Sequence, residues 1–267
     1  MTTLVKAILV AGGHGSRLLP FTRYTHKTLL PLYRRPVIDY ALAFIRRTGI
    51  TDITIIGNQF IGQIAKHVGT GLPGENIHYV IEEEPRGVAF ALNLARPHTQ
   101  DCRLLVFFSD NITTANLINE VQEWRTAEMP GCLLLGRSVP DPRPFGVGVF
   151  DDAGELIDII EKPEQPPSDV AIGGIYLYDE RFWDLLDECC GPEQEDFSIT
   201  NLNRRYIQMG AARLRNLGEE EWLDCGTPEA LLRAGVLARD GRISPEPCHL
   251  RPNDPATGSD QENQMGF

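Results

Sequence analysis

Residues 4–11, Leu-Val-Lys-Ala-Ile-Leu-Val-Ala, run directly into Gly12-Gly13-His14-Gly15-Ser16-Arg17. A short apolar run cut off by glycines predicts a buried strand that ends in a tight loop. A helical spacing follows near 36–48, opened by Pro36 and stopped by Gly49. Strands are expected at 52–57, 77–82 and 103–108, and helices at 59–68, 87–95 and 117–125. Strand–helix alternation of this kind predicts an α/β fold: a Rossmann-like, mostly parallel sheet flanked by helices on both faces. After residue 130 the texture changes. Strands at 131–138, 171–178 and 211–217 mix with helices at 181–189, 198–209 and 229–239, and 145–161 reads as a hairpin turning at Asp151-Asp152-Ala153-Gly154. We therefore expect a small β-hairpin extension of one sheet. No Ser/Gly-rich linker divides the chain, so 1–242 reads as a single domain. Residues 243–267 are polar and Pro-rich, which predicts a flexible tail.

The 267 residues carry a formal charge of −12, which disfavours nucleic acid or an anionic membrane surface as a partner. Local cations and backbone N–H groups can still hold a small phosphate. No apolar stretch is long enough to span a membrane, and no secretory signal is legible. The six cysteines form no C-x-x-C pair and no zinc-finger spacing, so they read as reduced thiols in a cytoplasmic protein.

The glycine loop lets the backbone approach a phosphate and form an anion nest, with Arg17 as a bidentate donor. It is not a P-loop, because Lys27 comes too late. It is not a dinucleotide fingerprint either, since Leu18 and Pro20 stand where a helix would open. Asp110 ends the apolar strand Leu-Leu-Val-Phe-Phe-Ser-Asp, so its carboxylate points toward the ligand crevice of a parallel sheet. His26 and the Glu219–Glu221 run are expected on the surface, and Phe107 and Phe108 in the core.

Ala11-Gly12-Gly13-x-Gly15-Ser16-Arg17-Leu18-x-Pro20, Lys27-x-Leu29-Leu30-Pro31, Phe145-Gly146-Val147, Glu161-Lys162-Pro163, Gly174-Ile175-Tyr176 and Trp222-Leu223-Asp224-x-Gly226-Thr227 follow one another in order. This set resembles the sugar-1-phosphate nucleotidylyltransferases over roughly residues 4–240. Within that family it is most similar to the short form of glucose-1-phosphate thymidylyltransferase. The resemblance implies transfer of a nucleotidyl group from a nucleoside triphosphate, dTTP above all, to a sugar-1-phosphate, with pyrophosphate leaving. It implies Arg17, Lys27 and Lys162 as the catalytic cations. It places Ala11, Gly12, Gly13, Gly15, Glu82, Gly87 and Asp110 at the nucleotide, and Asn111, Gly146, Glu161 and Gly174 at the sugar. Asp110 and Asp224 are implied as Mg²⁺ ligands, consistent with a hard cation's preference for carboxylates and phosphates. A homo-oligomer is implied as well.

Glu82 departs from the family's pyrimidine branch, where a glutamine reads the base, and Phe90 replaces a second glutamine. An ionised carboxylate only accepts hydrogen bonds, which suits guanine's paired N–H donors better than thymine. Glu82-Glu83-Glu84-Pro85-x-Gly87-x-Ala89 is also similar to guanylyltransferases. Ile172-Gly173, Ser198 and Asn201 depart from the pattern near the sugar and bear on which sugar is used. A non-catalytic sensor of sugar nucleotides would be expected to lose metal or phosphate residues, yet Arg17, Lys27, Asp110, Lys162 and Asp224 are all present. A dinucleotide-dependent oxidoreductase would need the helix-opening glycine pattern that is missing.

Overall fold

In strand β1 (Val5–Ala11) alternate side chains enter two different cores. Val5, Ala7, Leu9 and Ala11 pack on one side, Ile8 and Val10 on the other. A period of two with apolar residues on both faces requires a covering layer on each. The computed structural model describes residues 3–84, 86–189 and 198–245 and supplies those layers.

After β1 come the short strands β2 (Pro31–Leu32) and β3 (Arg35–Pro36), helix α1 (Val37–Arg47), β4 (Asp52–Gly57), α2 (Ile61–Val68) and β5 (Asn76–Ile81). Then follow α3 (Val88–Thr99), β6 (Arg103–Phe108), β7 (Asn111–Thr113), α4 (Ile118–Thr126) and β8 (Cys132–Ser138). The second half adds β9 (Gly146–Phe150), β10 (Leu156–Glu161), β11 (Val170–Tyr178), α5 (Phe182–Cys189), α6 (Ile199–Gln208), β12 (Ala212–Asn216), β13 (Trp222–Asp224) and α7 (Pro228–Arg239).

The main sheet runs β10-β9-β11-β6-β1-β4-β5, with β8 on β11 and β12 on β8. Strands β5, β4, β1 and β6 are mutually parallel. From β11 onward most pairings are antiparallel. Helices α1, α2 and α4 cover one face through Ile38, Leu42, Ile45, Ile64, Val121 and Trp124. Helices α3, α5 and α6 cover the other through Leu92, Ala95, Phe182, Leu186, Leu202 and Tyr206. Each such large side chain contributes about 1.5–3 kcal/mol on burial. The expected α/β architecture and hairpin extension are both present.

The long strand β11 decides where the extension goes. Its Ile175–Tyr178 half pairs with β6, while Ala171 and Ile172, beyond the end of β6, pair with β9. The β9–β10 hairpin therefore continues the sheet past the carboxyl end of β6. A small two-stranded ribbon of β7 and β13 sits beside it, and α7 packs there through Ala234 and Leu237 in a third core.

Helix α3 runs to Thr99, further than expected, and carries Pro97 inside its last turn at the loss of one i→i−4 donor. Ile243 is buried in the third core, and Arg47 donates to the Ser244 carbonyl at 3.0 Å. Residues 246–267 of the expected tail, with Cys248 and also Cys190, lie outside the described residues. Cys102, Cys132, Cys189 and Cys225 are free thiols.

Candidate active site

The chain leaves β1 for β4 and β5 on one side and returns through β6 on the other. The carboxyl ends of β1 and β6 thus flank a topological switch point, where α/β sheets bind ligands. The glycine loop leaves β1 at this point, and Asp110 follows β6 directly. Strand β13 pairs antiparallel with β7 so that Asp224 stands opposite Asn111. The N–H of Cys225 donates to the Asp110 carbonyl at 2.8 Å. Two aspartates far apart in sequence are thereby locked side by side.

Each Asp110 oxygen has a donor. Lys27 Nζ donates to Oδ2, and Asn111 Nδ2 donates to Oδ1 at 3.1 Å. The Asn111 amide is itself fixed, because its Oδ1 accepts from Gly174 N at 3.0 Å and Trp222 Nε1 at 2.6 Å. Burial alone would raise the Asp110 carboxyl, but the Lys27 charge and these hydrogen bonds outweigh it and hold the group below the usual carboxylate range. Asp224 goes the other way. Burial first and the Asp110 charge second push it up, against Arg17 and Lys27. Arg17 reaches Asp224 Oδ2 at 3.4 Å and remains largely exposed.

The glycines hold space for named side chains. A Cβ on Gly12 would lie 2.3 Å from Glu82 Oε2, and one on Gly13 would lie 2.9 Å from Lys27 Nζ. Gly15 has φ +65°, and a Cβ there would meet Lys27 Cβ and Thr22 Cγ2, each at 3.0 Å. The Thr22 hydroxyl donates to the Gly15 carbonyl at 2.8 Å and closes the loop. Glu82 is buried beside Gly12; burial raises its carboxyl, with the Arg86 N–H opposing. Ala11 packs into the first core, so only its backbone is available to a ligand. His14 is exposed.

A cleft of about 530 Å³ opens between this cluster and the hairpin. Gly87, Asp110, Asn111, Gly146, Glu161, Lys162, Gly174 and Asp224 all line it. Glu161 Oε2 accepts the Thr200 hydroxyl at 2.5 Å, and a Cβ on Gly146 would crowd both Thr200 and Glu161, at 3.3 and 3.4 Å. Lys162 has φ +45°, uncommon for a residue with a side chain, and its N–H donates to the Phe145 carbonyl at 2.9 Å. Its ammonium lies at the rim, 3.4 Å from Glu161 Oε1.

Some expectations are corrected. His26 is buried at 1% exposure, with its ring against the Ala11 carbonyl at the end of β1. Glu221 is not a free loop side chain. Arg137, Arg233 and Arg242 surround it, and its carbonyl accepts from Thr113 Oγ1 at 2.7 Å. Phe107 is core as expected, and Phe108 packs against the second core while its ring also lines the cleft, edge-on to Tyr176. Thr200 and Trp222 also line the cleft, beyond the residues the sequence points to. Trp222 could have been found, since two residues before Asp224 on a strand is the same face. Thr200 offers no such signal.

The model of the nucleotidyl transferase family matches residues 6–240. The chain belongs to that family. This nucleotidyl transferase is 35% identical over 232 residues to glucose-1-phosphate thymidylyltransferase of Xanthomonas campestris pv. campestris, covering 86% of the chain and 79% of that relative. A Bacillus anthracis protein assigned as a glucose-1-phosphate thymidylyltransferase, solved in complex with sucrose, superposes with a TM-score of 0.83 at 35% identity. That match covers 88% of this chain and 96% of the other. A UDP-glucose pyrophosphorylase from Acinetobacter shares the fold, with a TM-score of 0.75 at 18% identity over 87% of this chain and 92% of that one. Together these relatives make this nucleotidyl transferase a sugar-1-phosphate nucleotidylyltransferase, an enzyme that forms nucleotide sugars. Among the described residues no helix is long and apolar enough to cross a membrane.

Proposed function

We propose that the enzyme joins dTTP and glucose-1-phosphate, or a closely related sugar phosphate, at the cleft beneath the hairpin. The observation that carries this is the convergence of Arg17, Lys27, Asp110 and Asp224 at the switch point, next to a cleft walled by Glu161 and Lys162. The sugar phosphate oxygen attacks the α-phosphorus, the bond to the bridging oxygen breaks, and pyrophosphate leaves. The attacking oxygen is already anionic, so the step needs no protein nucleophile and no strong base. Arg17 and Lys27 hold the nucleotide phosphates, Lys162 holds the sugar phosphate, and Thr200 orients Glu161 toward the sugar hydroxyls. Catalysis is then positioning and charge neutralisation.

Asp110 and Asp224 fit a divalent cation. Their like charges oppose one another, adding to burial as the second cause that raises the Asp224 carboxyl, and a hard cation held by both would remove that conflict. Among the described residues no group of three or more His, Cys, Asp or Glu could hold a metal alone. Substrate phosphates would therefore complete the shell, the usual habit of Mg²⁺. Bound there, Mg²⁺ would neutralise charge on the phosphates; Asp110 and Asp224 would orient it, and Lys27 would share Asp110 with it.

Glu82 bears on the base. Burial raises its carboxyl against the Arg86 N–H and the His14 charge, and the protonated form would offer one donor and one acceptor, as thymine requires. The ionised form favours guanine instead. Pyrophosphate release with dTTP, UTP, GTP, CTP and ATP against a panel of sugar-1-phosphates tests the reading. We expect dTTP with glucose-1-phosphate or a relative to lead, with loss of activity in EDTA. A preference for GTP would overturn the base assignment, and no release with any pair would overturn the activity.

A further inference from the structure

His26 lies in a segment whose neighbour Tyr24 is 80% exposed, yet its own ring is buried. Nδ1 accepts the Thr28 backbone N–H at 3.2 Å and lies 2.7 Å from the Thr28 hydroxyl, which can donate to it as well. A nitrogen that accepts in this way carries no proton, so the neutral ring holds its proton on Nε2. That nitrogen faces the Ala11 carbonyl at the end of β1, outside full hydrogen-bonding geometry. The ring is therefore the N-cap of the single 3₁₀ turn Lys27–Leu29, while its far edge rests against the end of β1. The backbone is stapled at the same place. His26 N donates to Gln63 Oε1 at 3.2 Å, and Gln63 Nε2 donates to the Tyr24 carbonyl at 2.9 Å.

This turn carries Lys27. The lysine side chain runs past Gly15 and Gly13, where even a Cβ would come within 3.0 and 2.9 Å of it. So crowded a path leaves little freedom to correct an error in the backbone, and a turned segment would carry Nζ away from Asp110.

We propose that His26 is a positioning residue for Lys27. Its neutral imidazole caps the turn, and the same ring wedges that turn against the end of β1. Serine, threonine, aspartate or asparagine can cap a turn, but none fills the space between the turn and the end of β1. The inference rests on reading Lys27 as a phosphate contact.

The test is a double-mutant cycle on the full chain, with kcat, KM for the nucleotide and Tm measured for each protein. The members are His26→Ala, His26→Asn, Lys27→Ala and His26→Ala combined with Lys27→Ala. We expect His26→Ala to lower kcat about 10–100-fold, the scale of a misplaced catalytic group, with KM changed less. His26→Asn, which keeps the cap but not the ring that wedges the turn, should recover only part of that loss. In the Lys27→Ala background, removing His26 should change kcat less than twofold, because the two act as one unit. The proposal is overturned if His26→Ala keeps wild-type kcat, or if it loses the same factor in both backgrounds, as a merely structural role would. A Lys27→Ala enzyme with normal turnover would instead overturn the reading of Lys27, whatever His26 does.

Discussion

The indole N–H of Trp222 donates to Asn111 Oδ1 at 2.6 Å across 111 positions of sequence. Through Asn111 that bond reaches Asp110, so a residue that is itself buried helps fix the Asp110 carboxylate at the cleft. Trp222→Phe keeps an apolar ring against Phe145 and removes only the donor. One net hydrogen bond is worth about 1 kcal/mol. We expect kcat/KM for the sugar phosphate to fall about fivefold to tenfold, with the fold intact by circular dichroism. Unchanged kinetics would show that the Gly174 N–H alone holds the amide.

The two carboxylates and the cations around them should be indispensable. Asp110→Ala or Arg17→Ala should lower turnover by at least about a hundredfold, as losing one preorganised electrostatic group typically does. EDTA should abolish turnover and added Mg²⁺ restore it. Asp224→Ala should raise the Mg²⁺ concentration needed for half-maximal rate. Pyrophosphate release measured across a Mg²⁺ titration checks all three, and near-normal turnover in Asp110→Ala would be the contrary result.

Gly12 predicts a specific clash. An alanine Cβ there would sit 2.3 Å from Glu82 Oε2, so the carboxyl must swing away. Gly12→Ala should raise the nucleotide KM about tenfold or more while Tm changes little, because the added methyl displaces a side chain and not the core. Adding Glu82→Ala should relieve the clash without restoring base selectivity. Equal KM values in wild type and Gly12→Ala would mean that Glu82 does not touch the nucleotide.

His26 makes stability depend on pH. Burial is the main cause that lowers its pKa from 6.5 to about 4; Lys27 and His14 add to the lowering, while Asp110 and the Ala11 carbonyl oppose it. The unfolded chain takes up the proton near pH 6.5 and the folded one refuses it until about pH 4. Between those values the unfolded state binds more protons, so stability is full above 6.5 and declines as pH falls toward 4. The whole contribution is about 3 kcal/mol at most. Urea unfolding at pH 7.5 and 5 measures it. His26→Asn should flatten the difference, and an identical slope in that variant would assign the effect to other groups.

Much of the fold is legible in the sequence. Each long strand and helix lies within a few residues of its expected place, because an apolar run or a helical spacing announces it. The three-residue strands β7 and β13 were not foreseen, since three residues carry no readable period. Their pairing is what brings Asp224 to Asp110. Gly12, Gly13, Gly15 and Arg17 point to a phosphate site through their chemistry, and only the family resemblance adds Lys27. Thr200 does not, because its importance lies only in the 2.5 Å bond to Glu161.

By itself, then, the order of residues determined the alternation of strands and helices, the loop that leaves β1, and the charged groups available to the chemistry. These depend on local spacing and on residue type. Only the tertiary structure decided that His26 is buried, that Glu221 sits among arginines, and that Asn111 links Trp222 to Asp110. Burial and hydrogen-bond partnership are properties of segments meeting across the fold, and a polar side chain in a loop carries no local mark of which segment will close over it.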